Sequence, residues 1–315
     1  METKKVNVGR LLGNYGMYIA FVILIVALAV ASPAFLTYTN IVNILRQISV
    51  VGIMAIGMTF VIATGGIDLS VGAVLALTGV ISTSLVVDGS QTPLALAILA
   101  GLGVGLLCGM FSGVFIAKLG VPEFIATLAT MTIARGLCYV YTDGRPITGF
   151  RDDYKVIGGG SVGVMPIPVL IFIVIIIIGI ILLNFSKFGR QVLAVGGNEK
   201  AAIVSGINAA RIKFICYALS GLASAIAGIV LSSRTQTGQP AAGEGNELDA
   251  ITAVVIGGAS LSGGSGSIIG TVIGMLIIGV MTNGLDLLNV SSYYQEVIKG
   301  IIILVAVLSD RMKTH

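Results

Sequence analysis

Asp68 stands between two apolar runs, directly after Gly65-Gly66-Ile67. A carboxylate at membrane depth is costly and marks a functional candidate by default. It also suits the N-cap of a helix starting at Leu69, where its oxygen would accept from an unpaired amide. The two roles are compatible, because helices broken at glycines also bring half-helix ends to substrate paths. Arg135 falls inside the apolar run 122–142 and needs a partner, a water-filled cavity or a headgroup. Asp68, Glu123 and Asp249 are the candidate partners. Glu296 and Lys299, three apart, fit a pair on one helix surface. Tyr293 and Tyr294 beside them fit an interfacial aromatic belt.

Other chemistries lack their residues. There is no Gly-Lys dipeptide, hence no phosphate-binding P-loop. There is no Gly-x-Ser-x-Gly elbow with an internal histidine, because His315 is the sole histidine. That also removes support for a metal site. Cys108, Cys138 and Cys216 all lie in apolar runs and read as small buried hydrophobes. Few carboxylates sit deep in apolar runs, which weakens proton or sodium coupling and places the energy source outside the chain.

The elements that position these residues follow from composition. Of 315 residues, 56% are hydrophobic and 10% charged, with a mean hydropathy of +1.04. Soluble domains carry about 25% charged residues. The fold class is therefore an all-α polytopic membrane protein, a single transmembrane domain over 1–315. About ten runs are long enough to span or nearly span a bilayer: 15–31, 44–63, 71–87, 93–117, 122–142, 165–184, 213–231, 249–262, 267–287 and 292–308. Run 249–262 is short and glycine-rich, which points to a broken or re-entrant element. Ala29-Val30-Ala31 resembles a signal-peptide cleavage site, but a retained first helix fits the remaining topology better.

The net charge of +4 sits at segment ends, so it reports topology and not nucleic-acid binding. With the N-terminus inside, eleven of the eighteen Lys and Arg fall at inner ends, among them Lys4, Lys5, Arg10, Lys118 and Lys313. Arg145, Arg151, Lys155 and Arg234 fall outside, balanced by acidic residues. Both termini are then cytosolic. The longest polar segment on that side, Ser186–Lys213, holds five of the eighteen. Within it Asn198 is an N-cap, Glu199 suits the positive end of a helix dipole, and Gly206 is a C-terminal stop. The helix between them has about two turns, far too few to be stable alone in water, so it needs something to dock on.

Two segments echo each other as GGxxLSxG: Gly65–Gly72 and Gly257–Gly264. Internal duplication and chance in a glycine-rich chain are both open readings. Glycines repeat at i+4 at Gly101, Gly105, Gly109 and Gly113, and at Gly266, Gly270 and Gly274. Such ladders serve close helix packing, within the chain or between subunits.

Several stretches together resemble the permease subunit of bacterial ABC importers for monosaccharides of the ribose, galactose and xylose type. They include Asn43–Gln47, Gly57–Ile62 running into Gly65–Gly72, Phe124–Leu128, Val140–Gly144, Gly196–Glu199, Glu247–Ile251 and Val290–Gln295, and they cover nearly the full length. The resemblance implies a pair of permeases in the bacterial cytoplasmic (inner) membrane, a cytosolic ABC ATPase, and an extracytoplasmic sugar-binding protein. ATP and Mg would be used by the ATPase, with no cofactor on this chain. It implies a coupling site at Gly196, Gly197, Asn198, Glu199, Ala201, Ala202, Ser205 and Gly206. Lys200 separates Glu199 from Ala201, which departs from the family's Glu-Ala-Ala-x-x-x-Gly pattern and leaves the register of the contact open. A neutral sugar needs hydrogen bonds, so Asn43, Gln47, Thr59, Thr64 and Ser70, with Asp68 and Asp249, are the path candidates. The rival readings are an autonomous secondary transporter or channel and a membrane-embedded enzyme.

Overall fold

The apolar runs fold as helices because a bilayer leaves no other way to satisfy each backbone amide within one segment. The computed structural model describes residues 8–314. The charges expected of Lys4 and Lys5, and His315, lie outside the described residues. The helices are α1 (Val8–Ala31), α2 (Tyr38–Ala63), α3 (Val71–Ser84), α4 (Leu94–Ala117), α5 (Glu123–Thr142), α6 (Asp152–Gly159), α7 (Ile167–Ile180), α8 (Lys187–Gly197), α9 (Glu199–Val204), α10 (Ala209–Thr235), α11 (Asn246–Ile256), α12 (Ile268–Leu287) and α13 (Ser292–Thr314). A π turn, Ile181–Phe185, ends α7. A two-residue pair, β1 (Ser161–Val162) with β2 (Met165–Pro166), closes a small hairpin.

Among the described residues, six helices are long and apolar enough to cross a membrane: α2, α4, α5, α7 with its π turn, α10 and α12. Gly16–Ala31 and α3 are shorter apolar helices. Every expected run coincides with a helix, although length and hydropathy qualify only these six as spans. In run 249–262 the helix is α11, eleven residues or about 16 Å at 1.5 Å per residue. That is roughly half of a 30 Å hydrocarbon core, so the expected break is present. The loop 142–164, read as irregular, contains α6 and the hairpin. Tyr154 of α6 is buried against α10, its hydroxyl 2.7 Å from Ser232.

α10 is the central helix. It packs on α2, α3 and α4, and its Cys216, Tyr217, Ser220 and Ser224 are buried. The first glycine ladder faces it: a Cβ at Gly105 or Gly109 would strike the α10 backbone at Gly221 or Tyr217. The second ladder packs on α11, with Gly270 against Gly257 and Gly274 against Ala253. Both ladders therefore serve packing inside the chain. α2 and α12 run antiparallel, stapled at one end by paired Asn40 and Asn283 amides (2.9 Å each way) and at the other by Thr59 and Thr271 hydroxyls (2.8 Å). Such buried side-chain bonds between spanning helices each contribute about 0.6–2 kcal/mol.

Candidate functional site

At one end of the bundle the chain leaves α7 through the π turn, and Ser186 caps α8 by accepting from the Gly189 amide at 3.0 Å. α8 buries Val192 and Val195 against the bundle. The sequence reading missed this helix within 186–213. Asn198 then caps α9, its side chain accepting from the Ala201 amide at 3.0 Å, and Gly206 ends the turn at φ +84°. A left-handed residue after a helix is the role that glycine fills without steric cost. Glu199 accepts from Lys213 Nζ at 2.9 Å, and the same amine lies 3.4 Å from Glu123. The three charges tie α9 to the starts of α5 and α10. Ala202 is buried at 4% exposure, so its contact is with the helix bundle itself. Ala201, Ser205 and Gly206 are exposed. Val204 is 90% exposed and Ile203 55%. α9 thus has an inner face seated on the bundle and an apolar outer tip at Val204 that the described residues leave open, while Ile203 borders a cavity with Ile116 and Ile207.

Gly196 and Gly197, at the end of α8, lie against the second GGxxLSxG segment, and Gly196 also against Ala63, two residues before the first. A Cβ on Gly196 would meet the Ala63 carbonyl and the Gly264 amide, and Gly264 itself donates to Ala63 O at 3.0 Å. Gly65 approaches Ser262 and Gly263. The two echoing segments are therefore neighbours, and α8 closes a junction of three backbones. One segment joins the long α2 to the short α3; the other joins the short α11 to the long α12. Only glycine lets three main chains come this close.

Asp68 is 1% exposed and fully engaged. One oxygen accepts from the Ser70 amide (2.9 Å) and hydroxyl (2.6 Å), and the other from Ser220 on α10 (2.7 Å). The helix starts at Val71 with Ser70 in the cap position and no side-chain cap bond. The expected cap of a helix at Leu69 is thus replaced by a local turn that ties the α2–α3 segment to α10. Thr59 and Thr64 are also buried and bonded, Thr64 to Val61 O at 2.7 Å.

Arg135 pairs with none of the three expected carboxylates. It donates to the carbonyls of Pro240 (2.6 Å) and Ala242 (2.8 Å). Those carbonyls belong to non-helical backbone that enters the bundle before α11 and has no helical partner of its own. Lys299 pairs not with Glu296 but with Asp249, at 2.8 Å.

The expected path residues divide. Thr59, Thr64, Asp68 and Ser70 have spent their hydrogen bonds on the fold. Gln47 and Asp249 instead line a cavity of about 230 Å³ between α2, α10, α11, α12 and α13. Asn43, one turn before Gln47, is exposed. Arg234, Asn246, Thr282 and Lys299 share the cavity and were not among the expected path residues. The signal available for them was only that each is a polar residue in or beside an apolar run.

Residues 40–307 match the family described as the branched-chain amino acid transport system / permease component. The chain is 49% identical to the ribose import permease protein of Bacillus subtilis, over 99% of this chain and 97% of that protein. It is 50% identical to the ribose import permease protein of Haemophilus influenzae, over 98% and 96%. It is 43% identical to the L-arabinose transport system permease protein of Escherichia coli, over 97% and 92%. No solved structure matches the chain.

Proposed function

We propose, from the premise that this chain belongs to the branched-chain amino acid transport system / permease component family, that it is the membrane subunit of an ATP-driven importer of ribose or a similar pentose. The wider reading, a permease of an ABC sugar importer, rests on its near full-length likeness to ribose and L-arabinose permeases. ABC importers in general also have an ATPase and a binding protein. Here the whole of 1–315 acts as one transmembrane domain of about ten crossings in the bacterial inner membrane, with both termini cytosolic. Lys187, Arg190, Lys200, Arg211 and Lys213, all on the α8–α10 end, favour that orientation. The ATPase meets this end, the sugar-binding protein meets the opposite end near α6 and its hairpin, and a second copy of the chain with surrounding lipid completes the pore. ATP and Mg belong to the ATPase; this chain holds no cofactor and catalyses nothing.

The observation that carries this reading is the outer face of α9. The six-residue α9, too short to stand alone, turns adjacent Ile203 (55% exposed) and Val204 (90% exposed) outward from a polar segment and so offers an apolar tip to a partner. Val204, Ile203, Ala201, Ser205 and Gly206 form the contact with the ATPase. Asn198 shapes it, while Glu199 and Ala202 seat it. Closure of the ATPase pair moves α9 as a rigid body. α8 passes that movement through Gly196 and Gly197 to both GGxxLSxG turns, and so to the half-length helices α3 and α11 together. The path then opens to alternate sides.

Copurification tests the contact. The wild-type chain retains the ATPase encoded with it, and Val204→Glu reduces capture about tenfold or more, the loss of roughly 1.4 kcal/mol. Equal capture by the variant overturns the docking assignment. The melting temperature of the variant chain stays at the wild-type value, because a surface change of this kind costs within about 0.5 kcal/mol.

A further inference from the structure

Spanning helices with most of their surface open turn apolar side chains to lipid, as Leu99 and Leu107 do on α4 and Val174 and Ile177 on α7. α5 does not follow them. It is buried no more than α7, yet it is the least apolar of the six spans. Its inner side, Ala126, Thr127, Thr130, Ala134 and Cys138, faces the bundle. The opposite side, at steps of three and four residues, is Ile125, Ala129, Thr132, Gly136 and Tyr139, all exposed. Thr132 stands nine residues from Glu123, about 14 Å along a helix about 30 Å long. The outward face is therefore least apolar near the middle of the membrane.

A groove of about 430 Å³ lies along that face, lined by Thr132, Arg135, Gly136, Tyr139, Glu244 and Glu247. Beside it runs the non-helical backbone that Arg135 holds by the Pro240 and Ala242 carbonyls. Glu244 on that backbone is exposed, and neither Glu244 nor Glu247 has an ion pair among the described residues. Glu247 accepts only from the Gly245 amide, at 3.3 Å. Irregular backbone and carboxylates at this depth are tolerated against protein or water and not against lipid tails.

The chemistry of the face points to its occupant. Arg135 is basic, Glu244 and Glu247 are acidic, and all three border one groove. A two-fold axis beside α5 sets the basic part of each groove against the acidic part of the other, so the face is complementary to itself. Gly136 fits the same occupant. A Cβ there would meet nothing within 4 Å, so no neighbour inside the chain requires the glycine. Glycine within a helix costs about 1 kcal/mol against alanine. Gly105 and Gly109 of α4 differ, because α10 presses on both. Small residues on an open face let a second spanning helix come close.

We propose, resting on the reading that two copies complete the pore, that the second copy of this chain packs on the outward face of α5. Ala129, Thr132 and Gly136 lie nearest the two-fold axis, and the two charged grooves join across it. Ile133, Leu137 and Val140, exposed and apolar on one flank, meet lipid at the edge of the contact. The joined grooves keep lipid away from Arg135 and from the backbone at 240–245.

The test uses the complete transporter, chain plus ATPase plus binding protein, in membranes that hold two differently tagged forms of the chain. Retrieval of one tag by the other establishes two copies. Thr132→Cys, Gly136→Cys and, on the lipid side, Ile177→Cys are then treated with an oxidant and, separately, with a short bismaleimide. Cys138 and Cys216 are buried and Cys108 partly so, and the wild-type complex gives the background. ATPase capture by each variant shows that it folds. Identical positions beside a two-fold axis meet each other, and a disulfide forms where the Cα atoms come within about 7 Å. The expected result is a covalent dimer band, absent from wild type, at Thr132→Cys or Gly136→Cys, and none at Ile177→Cys. Tags that retrieve each other without a band at either α5 position, or with an equal band at Ile177→Cys, overturn the α5 face alone. Tags that do not retrieve each other in a transporter that takes up ribose sink the two-copy reading itself.

Discussion

At the scale of single residues, burial with complete bonding separates groups that hold the fold from groups that await a partner. Asp68 belongs to the first kind. Its three hydrogen bonds at 2.6–2.9 Å come from the turn it sits in and from α10. Asp68→Asn places an amide where only donors point, and an unmatched buried donor costs about 1–3 kcal/mol. The expected outcome is a lower melting temperature for the purified chain and less of it in the membrane, with transport per surviving molecule close to wild type. A stable variant with transport abolished would instead put Asp68 on the path. Ser220→Ala removes one bond and should cost about 1 kcal/mol, less than the aspartate change. Glu199→Lys turns the attraction to Lys213 into repulsion on a half-exposed surface. Such pairs are worth about 0–1 kcal/mol, so folding survives, and the readout is ATPase capture, reduced because α9 is no longer seated. Outside the spanning helices, Arg151 binds Asp153 at 2.7 Å and holds its carboxyl below the ordinary range, mainly through their hydrogen bond. Asp153 is exposed and Arg151 half-exposed, so this contact orders the start of α6 and contributes little to stability.

At the scale of elements, local signals were legible and long-range ones were not. The apolar runs located the helices, Asn198 and Gly206 bracketed α9, and the short run at 249–262 announced a broken element. α8 was not seen because Lys187, Arg190 and Gln191 and its glycines break up its apolar residues; Phe188, Val192 and Val195 at helical spacing, with Ser186 before them, were the available clue. The partners of Arg135, Lys299 and Asp68 lie 105 or 107, 50 and 152 positions away. No spacing rule connects residues that meet only after the bundle closes. The likeness of the two GGxxLSxG segments was visible, but their contact was not. That contact carries a prediction. Gly196→Ala forces a methyl against Ala63 O and Gly264 N, an overpacking that costs about 1–3 kcal/mol. A chain that still folds should bind its ATPase normally while sugar uptake per ATP hydrolysed falls about tenfold, within the 5–150-fold range of ordinary coupling energies. Gly197→Ala, whose Cβ would make only ordinary contact with Gly264, should be much milder. Equal effects at the two glycines would contradict transmission through the junction.

At the scale of the whole molecule, the features form one line. An apolar tip on α9 faces outward, α8 connects it to the glycine junction, the junction holds the ends of α2, α3, α11 and α12, and α11 borders the polar cavity. Nothing along that line supplies energy: the sequence has no P-loop and no array of membrane carboxylates to bind a driving ion. The proposed reading assigns that supply to the ATPase. The most direct measurement is initial uptake of labelled ribose into proteoliposomes, with ATP enclosed, for the chain alone and for the chain with its ATPase and binding protein. The account predicts uptake only with all three components and ATP, falling about tenfold or more in Val204→Glu. Uptake by the chain alone under a proton or sodium gradient, unaffected by Val204→Glu, would contradict it.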